Sequence, residues 1–330
     1  MFKSPSPALT RAAALVLVAL LAATAACADD DDAAPPTTAR RSAKATTSTA
    51  PTTTAPPTTK APTTQPPTTA APTTQPPATV ESGGFPGASN TGVPPGTRLR
   101  PSGTVVVTEP GTVIEGLDIT GTLDIRADDV EVRRTRIRTR GDDWTVVGIE
   151  EGLTGIVIED CEIDGLGTSG WPEGGTTGIQ GEGVTVRRCD IHSVGDAMKA
   201  GSNTVFEDNW VHDLAAAGEP HYDGFQFDGG GENVIVRHNT ISMPDQTGAV
   251  NIGNTFGPIS NVLVEDNLLS GGTYTVYVDA VHGSDPITGV QLINNRFGWH
   301  QYGAVLVRNV TLAASSGNVD HETGAPIVID

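Results

Sequence analysis

The sequence predicts an all-β fold, a parallel β-helix in which short strands coil around one axis and stack in register. A nine-residue phrase recurs through the C-terminal two-thirds of the chain, with aliphatic residues alternating with polar ones and Asn, Cys or Thr in seventh place. It begins at Asp129, Gly155, Gly183, Asn203, Asn233, Asn261 and Gly289, so that successive starts lie 26, 28, 20, 30, 28 and 28 residues apart. Self-similarity at this spacing is typical of a solenoid.

The pattern inside each repeat indicates strands. Apolar residues alternate with a period of two over three or four positions, as in a short strand with one buried face. No repeat contains the longer stripe of period 3.6 that a helical repeat needs. The seventh position is Asn209, Asn239, Asn267 and Asn295 in the last four repeats. Stacked strands place equivalent positions about 4.8 Å apart, so we expect these amides to form a ladder of hydrogen bonds at a tight bend.

The first 27 residues are typical of an export signal. Lys3 and Arg11 precede an apolar stretch, residues 12–26, that is too short to span a bilayer comfortably. Residues 24–27, Thr-Ala-Ala-Cys, are similar to the cleavage box of bacterial lipoproteins, so we expect lipidation of Cys27; cleavage as an ordinary signal peptide is the alternative. A single lipid anchor predicts an extracellular protein held at the cell surface, and without the anchor a secreted one.

Residues 28–82 are predicted to be a disordered linker. They are rich in Thr and Pro, and the sequence APTTQPP occurs twice. Such a segment cannot bury a core and favours extended conformations. The folded domain is therefore expected over residues 83–330. The formal charge of the chain is −19, which argues against a nucleic acid or an anionic lipid surface as a partner. We expect a monomer that contacts the membrane only through its lipid.

The sequence also predicts how the two ends of this domain and its two cysteines are arranged. Residues 85–103 are expected to cap the open end of the coil, and residues 325–329 are a candidate last strand. Cys161 and Cys189 hold the seventh position in adjacent repeats. Their spacing in a stacked coil permits a disulfide, and it equally permits a pair of small buried thiols.

A second strand accompanies each phrase after a loop of variable length, and its outward residues are polar, ionisable or aromatic. The central outward column is Gln180, Lys199, Gln226, Asn251, Tyr277 and Leu306. A second outward column is Glu182, Gly201, Asp228, Gly253, Asp279 and Arg308. The position that opens each strand is Thr177, Asp196, Asp223, Gly248, Tyr274 and Gly303. The sequence therefore predicts a functional face along these strands.

The coil length, the Asn column and the strand order resemble the pectate-lyase-like superfamily of right-handed parallel β-helices. Residues 85–94, FPGASNTGVP, are similar to the opening of a group of secreted bacterial proteins in that superfamily. The resemblance covers nearly all of residues 83–330. It implies a right-handed, single-stranded β-helix and a carbohydrate bound along the face just described. The Asn-Thr-Asp and Gly-His-Gly motifs of polygalacturonase-like members are absent.

Three carboxylates on this face are candidates for catalysis. Asp196 and Asp223 occupy matching positions on neighbouring repeats, and Asp228 lies five residues further along. Carboxylates this close push each other's pKa values apart, which supplies the acid and the base of a glycoside hydrolase. The same three residues are possible oxygen ligands for Ca²⁺. The structural alternative is that Asp196 and Asp223 are turn residues that open a strand.

A uronate lyase needs a base, an acid and a cation that neutralises the substrate carboxylate. Lys199, His221 and Arg308, or Ca²⁺, can supply this set, although a single outward Lys is also common as a solvated side chain. Tyr222, Tyr274 and Tyr277 offer rings for sugar stacking or for loop packing.

Two further groups lie away from this face. His192 and His212 with Asp213 are either a metal site or a surface ladder. The run Arg133, Arg134, Arg136, Arg138 and Arg140 is either a cradle for an anionic glycan or a solvated strand face.

The sequence therefore predicts a polysaccharide-active protein, either a glycan lyase or a glycoside hydrolase. Its expected catalytic residues are Asp196, Lys199, His221, Asp223 and Asp228, and its expected substrate-binding residues are Gln226, Asn251, Tyr277, Asp279 and Arg308. The alternative is a non-catalytic carbohydrate-binding or surface adhesion module, which has the same groove without a matched acid and base. The sequence contains no nucleotide-binding glycine loop, no Gly-x-Ser-x-Gly elbow and no CxxC motif.

Overall fold

The computed structural model describes residues 84–139, 143–167, 176–215, 221–243 and 247–329. The predicted signal peptide, Cys27, the linker and Arg140 lie outside the described residues. Within the described ranges the regular structure consists of short β-strands. No helix among these residues is long and apolar enough to cross a membrane.

The strands follow one another along the chain as β1 (Arg100–Ser102), β2 (Val105–Val107), β3 (Val113–Glu115), β4 (Leu117–Thr120), β5 (Leu123–Ile125), β6 (Glu131–Arg133), β7 (Arg136–Arg138), β8 (Thr145–Ile149), β9 (Ile156–Glu159), β10 (Glu162–Asp164), β11 (Thr177–Gly181), β12 (Val184–Arg187), β13 (Asp190–His192), β14 (Asp196–Ala200), β15 (Val205–Glu207), β16 (Trp210–His212), β17 (Asp223–Phe227), β18 (Gly231–Arg237), β19 (Thr240–Ser242), β20 (Gly248–Gly253), β21 (Ile259–Glu265), β22 (Leu268–Ser270), β23 (Tyr274–Asp279), β24 (Ile287–Ile293), β25 (Arg296–Phe297), β26 (Gly303–Arg308), β27 (Ala314–Ser316) and β28 (Val319–Asp320).

These strands form three parallel sheets that run the length of the coil. Sheet A has the order β1-β4-β7-β10-β13-β16-β19-β22-β25-β28, sheet B the order β2-β5-β8-β11-β14-β17-β20-β23-β26, and sheet C the order β3-β6-β9-β12-β15-β18-β21-β24-β27. Each strand pairs with the equivalent strand one turn later, so residues about 20 to 30 positions apart become neighbours. The predicted right-handed parallel β-helix is confirmed.

Each phrase corresponds to a sheet C strand followed by a sharp bend into sheet A. The first residue of all seven phrases has φ between 56° and 73°, and the sixth has φ between 46° and 57°. The sixth residues are Arg134, Asp160, Arg188, Asp208, His238, Asp266 and Asn294. A residue other than glycine in this left-handed region costs roughly 1–2 kcal/mol, so the bend depends on hydrogen bonds that hold it.

The Asn column supplies those hydrogen bonds. Asn239 is fully buried. Its Nδ2 donates to Oδ1 of Asn267 at 3.0 Å and to the carbonyl of Phe206 at 2.8 Å. Its own Oδ1 accepts from the backbone N–H of Asn209 at 2.9 Å. The pattern continues from Asn209 to Asn295 and ends at Asn318, one rung beyond the predicted ladder. The predicted Asn ladder is therefore present.

The two cysteines continue the same column. Cys161 and Cys189 are buried free thiols. Sγ of Cys161 lies 3.1 Å from the carbonyl of Glu159, and Sγ of Cys189 lies 3.4 Å from the carbonyl of Arg187. Each thiol thus bonds to the carbonyl two residues before it, and the pair fills the bend as small buried side chains.

The N-terminal segment is not the predicted cap. The ring of Phe85 stacks on His238 with centroids 5.5 Å apart. The amide of Gly92 donates to the carbonyl of Arg188 at 2.9 Å, and Arg100 starts the first strand of sheet A. Residues 84–99 therefore form a strap that runs along the outside of several coils. The prediction failed because these contacts join residues far apart in sequence and follow no repeat.

Both ends of the coil extend further than the phrase predicts. Gly111 and Gly116, with φ of 73° and 66°, bracket β3 as the equivalent residues bracket the later phrases. At the other end, the amide of Ile327 donates to the carbonyl of Asn318 at 2.9 Å, and Val319 forms an antiparallel bridge with Pro326. Residues 325–329 therefore fold back over the last coil rather than adding a parallel strand, and Ile327 and Ile329 pack against the core.

Candidate functional site

The outward face of sheet B, which we call the sheet B groove, carries a column of mostly polar and aromatic side chains along the coil axis. Strand pairing places Gln180 beside Lys199, Lys199 beside Gln226, Gln226 beside Asn251, Asn251 beside Tyr277 and Tyr277 beside Leu306. This is the predicted central column. Two adjoining hollows of about 410 and 490 Å³ share Gln180 and Ile149. The larger hollow is lined by Lys199, Gln226, Asp228 and Phe256.

Asp196 lies under the central column, with 5% of its surface exposed. Its Oδ2 faces Nζ of Lys199 at 3.0 Å, and its Oδ1 accepts the backbone N–H of Asp223 at 3.0 Å. Burial is the largest effect and raises the pKa of Asp196, and the Lys199 cation and the hydrogen bond from Asp223 offset only part of that rise. Because both oxygens have partners that favour a carboxylate, Asp196 ionises more readily than a buried carboxyl without them.

Asp223 is in register with Asp196 on the next rung and is 1% exposed. Its Oδ2 lies 3.5 Å from Nδ2 of Asn251, and its Oδ1 has no hydrogen-bond partner among the described residues. Burial first, and the Asp196 charge second, raise the pKa of Asp223 well above its ordinary value. A buried carboxyl with an unsatisfied oxygen beside an ionised one is stabilised by keeping its proton.

The two aspartates are thus more deeply buried than the predicted solvent-facing column implies. They nevertheless lie on the same side of sheet B, because Asp196 contacts outward Lys199 and Asp223 contacts outward Asn251. The small residues that follow them, Ala197 and Gly224, allow close packing; a Cβ at Gly224 would lie 2.6 Å from the carbonyl of Ala249. The alternation of apolar and polar residues predicts on which side of the sheet a side chain lies. It does not predict how deeply that side chain is buried.

Asp228 borders the open part of the groove and is half-buried. Burial raises the pKa of Asp228, and the nearby Lys199 cation opposes this effect. In the predicted second outward column, glycines precede and follow Asp228 at Gly201 and Gly253, so neither neighbouring rung places a side chain beside it. Oε1 of Gln226 is buried without a hydrogen-bond partner among the described residues.

Lys199 connects the carboxylates to an aromatic residue that the sequence reading missed. Its Nζ lies 5.4 Å from the centroid of the Trp144 ring. The indole N–H of Trp144 donates to Oε1 of Gln180 at 3.1 Å. Trp144 directly precedes Thr145, which pairs with Thr177 of the opening column. The position of Trp144, one residue before the opening column, could have identified it from the sequence. It was missed because residues 143–149 are not part of any copy of the nine-residue phrase.

The other predicted residues lie further along the groove or at its edge. Tyr277 hydrogen-bonds through its hydroxyl to Thr273. Asp279 is buried, bonds to Arg308 and lies 3.6 Å from Nε2 of His282, which the sequence reading did not single out. His221 is exposed and lies two residues before β17. The structure thus brings together Asp196, Lys199, Asp223, Asp228 and Gln226, and it places Asp279 with Arg308 in a separate pair.

A calcium ion on Asp196, Asp223 and Asp228 stays a prediction, and the residues do not favour it. Calcium takes six to eight oxygen ligands. The ammonium group of Lys199 already lies at hydrogen-bonding distance from Asp196. The position that a bound cation would take beside this carboxylate is therefore filled by a side chain of the protein.

A second group of titratable residues lies on the outward face of sheet A. Carboxylate and imidazole atoms of Glu162, Asp164 and His192 lie within 4.8 Å of one another. Asp164 faces Nδ1 of His192 at 3.7 Å, whereas Glu162 faces Nε2 at 3.9 Å. Because the two carboxylates face opposite nitrogens of the ring, and Nδ1 also lies 3.0 Å from Oγ of Ser193, the three residues are arranged as successive pairs rather than as ligands around one metal. This favours the ladder over the metal site.

The neighbouring side chains on sheets A and C support the same interpretation. His212 bonds to Asp190 at 2.8 Å and to Asp213 at 2.7 Å. Burial lowers the pKa of His212, but these two hydrogen bonds outweigh it and raise the pKa.

The arginine run is also paired with acidic side chains. The guanidinium groups of Arg136 and Arg138 bond to Asp118, while Arg133 bonds to Glu115 and Glu131. The arginine run is therefore a strand face paired with acidic neighbours.

Comparison with known proteins agrees with this fold. A family model described as a right handed beta helix region matches residues 113–269, and no curated protein matches the chain. The catalytic domain of a GH87 alpha-1,3-glucanase is similar at 12% identity. Its complex with tetrasaccharides gives a TM-score of 0.36 over 65% of this chain and 56% of that one, and its complex with nigerose gives 0.34 over the same shares.

The chain thus spans just over half of that glucanase domain. The family model and the three parallel sheets agree on the architecture. The described domain is a right-handed parallel β-helix, consistent with the pectate-lyase-like superfamily.

Proposed function

We propose that the protein is an extracellular polysaccharide-active enzyme, and that it is a glycoside hydrolase whose groove lies on the outward face of sheet B. The observation that carries this proposal is the unequal environment of two adjacent buried carboxyl groups. Asp196 has partners on both oxygens, whereas Asp223 has an oxygen without one among the described residues. A carboxyl that keeps its proton beside a second carboxyl that ionises more readily supplies the general acid of glycoside hydrolysis.

In the proposed reaction Asp223 donates its proton to the glycosidic oxygen as the bond from that oxygen to the anomeric carbon breaks. Water attacks the anomeric carbon and gives its proton to Asp228, which lies in the open part of the groove. One product gains a hydroxyl at the leaving oxygen and the other gains one at the anomeric carbon. Hydrogen bonds to catalytic groups are often incomplete in a free enzyme and close when substrate binds, which suits the unpartnered oxygen of Asp223.

The surroundings of Lys199 favour hydrolysis over the lyase reaction. A lyase base must accept a proton from the sugar ring. Lys199 instead faces Asp196 at 3.0 Å and the Trp144 ring at 5.4 Å, two contacts that suit a cation. Its proposed role is to keep Asp196 ionised. The acidic chain, with a formal charge of −19, also repels a polyuronate, so a neutral glycan is the better substrate.

The predicted export signal, Cys27 lipidation and Thr/Pro-rich linker support a location outside the cell. A domain held on a long, extended tether reaches polymers that cannot enter the cell. The proposed protein is a monomer. It is held at the cell surface by a lipid on Cys27 or, alternatively, is freely secreted.

A non-catalytic carbohydrate-binding module is the second candidate, and the depth of Asp223 favours it. At 1% exposure this residue reaches a bound sugar only if the groove adjusts. The same groove would then hold a glycan through its polar and aromatic side chains without cleaving it.

The substitution Asp223→Asn separates the two candidates. We expect at least a 100-fold loss of reducing-end release from a panel of soluble glucans, galactan and mannan, with binding retained, because the amide cannot donate the proton. Asp213→Asn is the matched control, since Asp213 is 86% exposed on another face. Binding without turnover by the unmodified protein would establish the module instead, and products with unsaturated uronate ends would establish a lyase.

A further inference from the structure

We propose that Tyr274 and Tyr302 form an aromatic shelf, a subsite on the outward face of sheet B that binds the ring of a neutral hexose beyond the point of cleavage. This inference rests on the proposed function and states where the bound chain extends. The ligand proposed to stack on these rings is a glycan.

The first observation is exposure. Trp299 and Tyr302 are 57% and 68% exposed, although large aromatic residues are usually well buried on average. Both lie in the loop that leads into β26, and Tyr274 opens the neighbouring strand β23. The rings of Tyr274 and Tyr302 have centroids 6.0 Å apart, and those of Tyr274 and Tyr277 are 5.7 Å apart, edge to face. The rings of Tyr274, Tyr277 and Tyr302 therefore form a cluster that is exposed to solvent at Tyr302.

The second observation is continuity with the carboxylates. Asp196 pairs with Asp223, Asp223 with Gly248, and Tyr274 with Gly303, while the register of β20 and β23 places Gly248 beside Tyr274. The shelf thus continues the column that holds the proposed acid. Two rungs separate Asp223 from Tyr274, about 10 Å at the usual strand spacing. An oligosaccharide can span this distance along the groove, whereas a single sugar cannot.

The third observation is that glycines leave room for the rings. A Cβ at Gly303 would lie 3.0 Å from the ring of Tyr274, and a Cβ at Gly248 would lie 3.0 Å from the ring of Tyr277. Both distances are tighter than ordinary van der Waals contact. The column therefore changes from carboxylates to alternating glycine and tyrosine, and the absence of side chains at Gly248 and Gly303 is what allows the rings to lie across the strands.

The chemistry of the shelf selects a neutral sugar. Flat aromatic faces pack against the C–H surface of a pyranose, and tyrosine hydroxyls remain available to its polar groups. The guanidinium of Arg308 on the adjoining strand is bonded to buried Asp279 and is thereby neutralised as a counter-ion for uronate. The shelf therefore suits an uncharged hexose polymer.

The test uses Tyr302→Ala and Tyr274→Ala, with Tyr302→Phe as the variant that keeps a ring. Trp210→Ala is the control, because Trp210 stacks on His212 on the other face. Affinity and kinetics are measured with disaccharides and longer oligosaccharides prepared from whichever neutral glycan of the panel is bound. We expect the alanine variants to raise KM or Kd about tenfold for the longer chains, the size of one good stacking contact. We expect kcat and disaccharide binding to be unchanged in the alanine variants. Tyr302→Phe keeps the stacking ring and is expected to lose less affinity for long chains than Tyr302→Ala, and Trp210→Ala is expected to behave as the unmodified protein.

The outcomes separate the shelf from the proposed function. Cleavage that persists with unaltered affinity for long chains in both alanine variants overturns the shelf alone. An unmodified protein that binds and cleaves no glycan overturns the proposed function, and the shelf with it. Self-association that is lost in Tyr302→Ala while glycan affinity stays the same assigns the rings to a contact between copies and also overturns the shelf. Tyr302 is mostly exposed, so its removal leaves the fold intact.

Discussion

At the scale of single residues, the site depends on two aspartates of identical chemistry in different surroundings. Asp196 meets an ammonium and a backbone N–H, whereas Asp223 meets one distant amide and the charge of Asp196. The pKa of Asp223 is raised well above its ordinary 3.8 by burial and by Asp196. At any pH between 3.8, the ordinary pKa, and the raised pKa of the folded state, the folded protein binds more protons than the unfolded chain. The free energy of unfolding therefore falls as the pH rises through that range.

This difference predicts that Asp223→Asn stabilises the protein near neutral pH. The amide imitates the protonated carboxyl and never loses a proton, so it avoids the cost of burying a group that ionises when the chain unfolds. We expect an increase in Tm of about 2–4 °C or more at pH 7, equivalent to at least about 1 kcal/mol, which shrinks as the pH approaches 3.8. Thermal unfolding across this range measures it. A variant less stable than the unmodified protein at pH 7 would contradict a protonated Asp223.

At the scale of the repeating element, the phrase combines a buried ladder with an alternation of charge. On sheet C the fifth position reads Glu115, Arg133, Glu159, Arg187, Glu207, Arg237 and Glu265 along the stack. Each charge between the two ends of this series therefore faces the opposite charge above and below. Exposed ion pairs of this kind contribute little individually, but alternation avoids the repulsion that like charges about 4.8 Å apart would cause. The buried Asn column carries more of the stability.

Removal of one rung of the ladder tests this ranking. In Asn239→Ala the backbone N–H of Asn209 and the carbonyl of Phe206 lose their partners inside the core. We expect a loss of about 2–4 kcal/mol in the free energy of unfolding, measured in urea, since each buried unsatisfied group costs about 1–3 kcal/mol. The control is Asn233→Gly at an exposed position with φ of 61°, where glycine keeps the backbone conformation and the loss stays within about 1 kcal/mol. Equal losses in both variants would contradict a special role for the ladder.

At the scale of the whole described domain, the strap of residues 84–99 ties distant coils together. Phe85 stacks on His238, and His238 in turn bonds to Asp208 at 2.6 Å. This hydrogen bond raises the pKa of His238 above its ordinary 6.5. The stabilisation is therefore complete below pH 6.5 and is lost as the pH rises through the higher folded-state pKa.

The strap predicts a measurable pH effect. The difference in stability between the unmodified protein and His238→Gln is expected to be largest near pH 6 and to shrink toward pH 8.5, since neutral His238 no longer pairs with the Asp208 charge. Thermal unfolding of both proteins measures it, with His321→Gln as a control at an exposed histidine. A difference that grows with pH would contradict a protonated His238 at the base of the strap.

The sequence predicts the coil well and the depth of its side chains poorly. The phrase and its seventh-position Asn determine register, and register alone brings Asp196, Asp223 and Lys199 together. Alternation cannot predict that both aspartates lie beneath the central column, because burial depends on neighbouring rungs and loops. Trp299 and Tyr302 were missed for the same reason: they lie in a loop that follows no repeat. The terminal coils at Gly111 and Asn318 were missed because the first lacks Asn and the last lacks the aliphatic alternation.

The most direct measurement for the central claim is the titration of the aspartate carboxyl carbons by NMR, with Asp223 assigned through Asp223→Asn. We expect one carboxyl signal, absent from that variant, to remain in the protonated form at pH values well above the ordinary aspartate value of 3.8. A spectrum in which every aspartate carboxyl, including Asp223, titrates near the ordinary value of 3.8 would contradict the assignment of Asp223 as the proton donor.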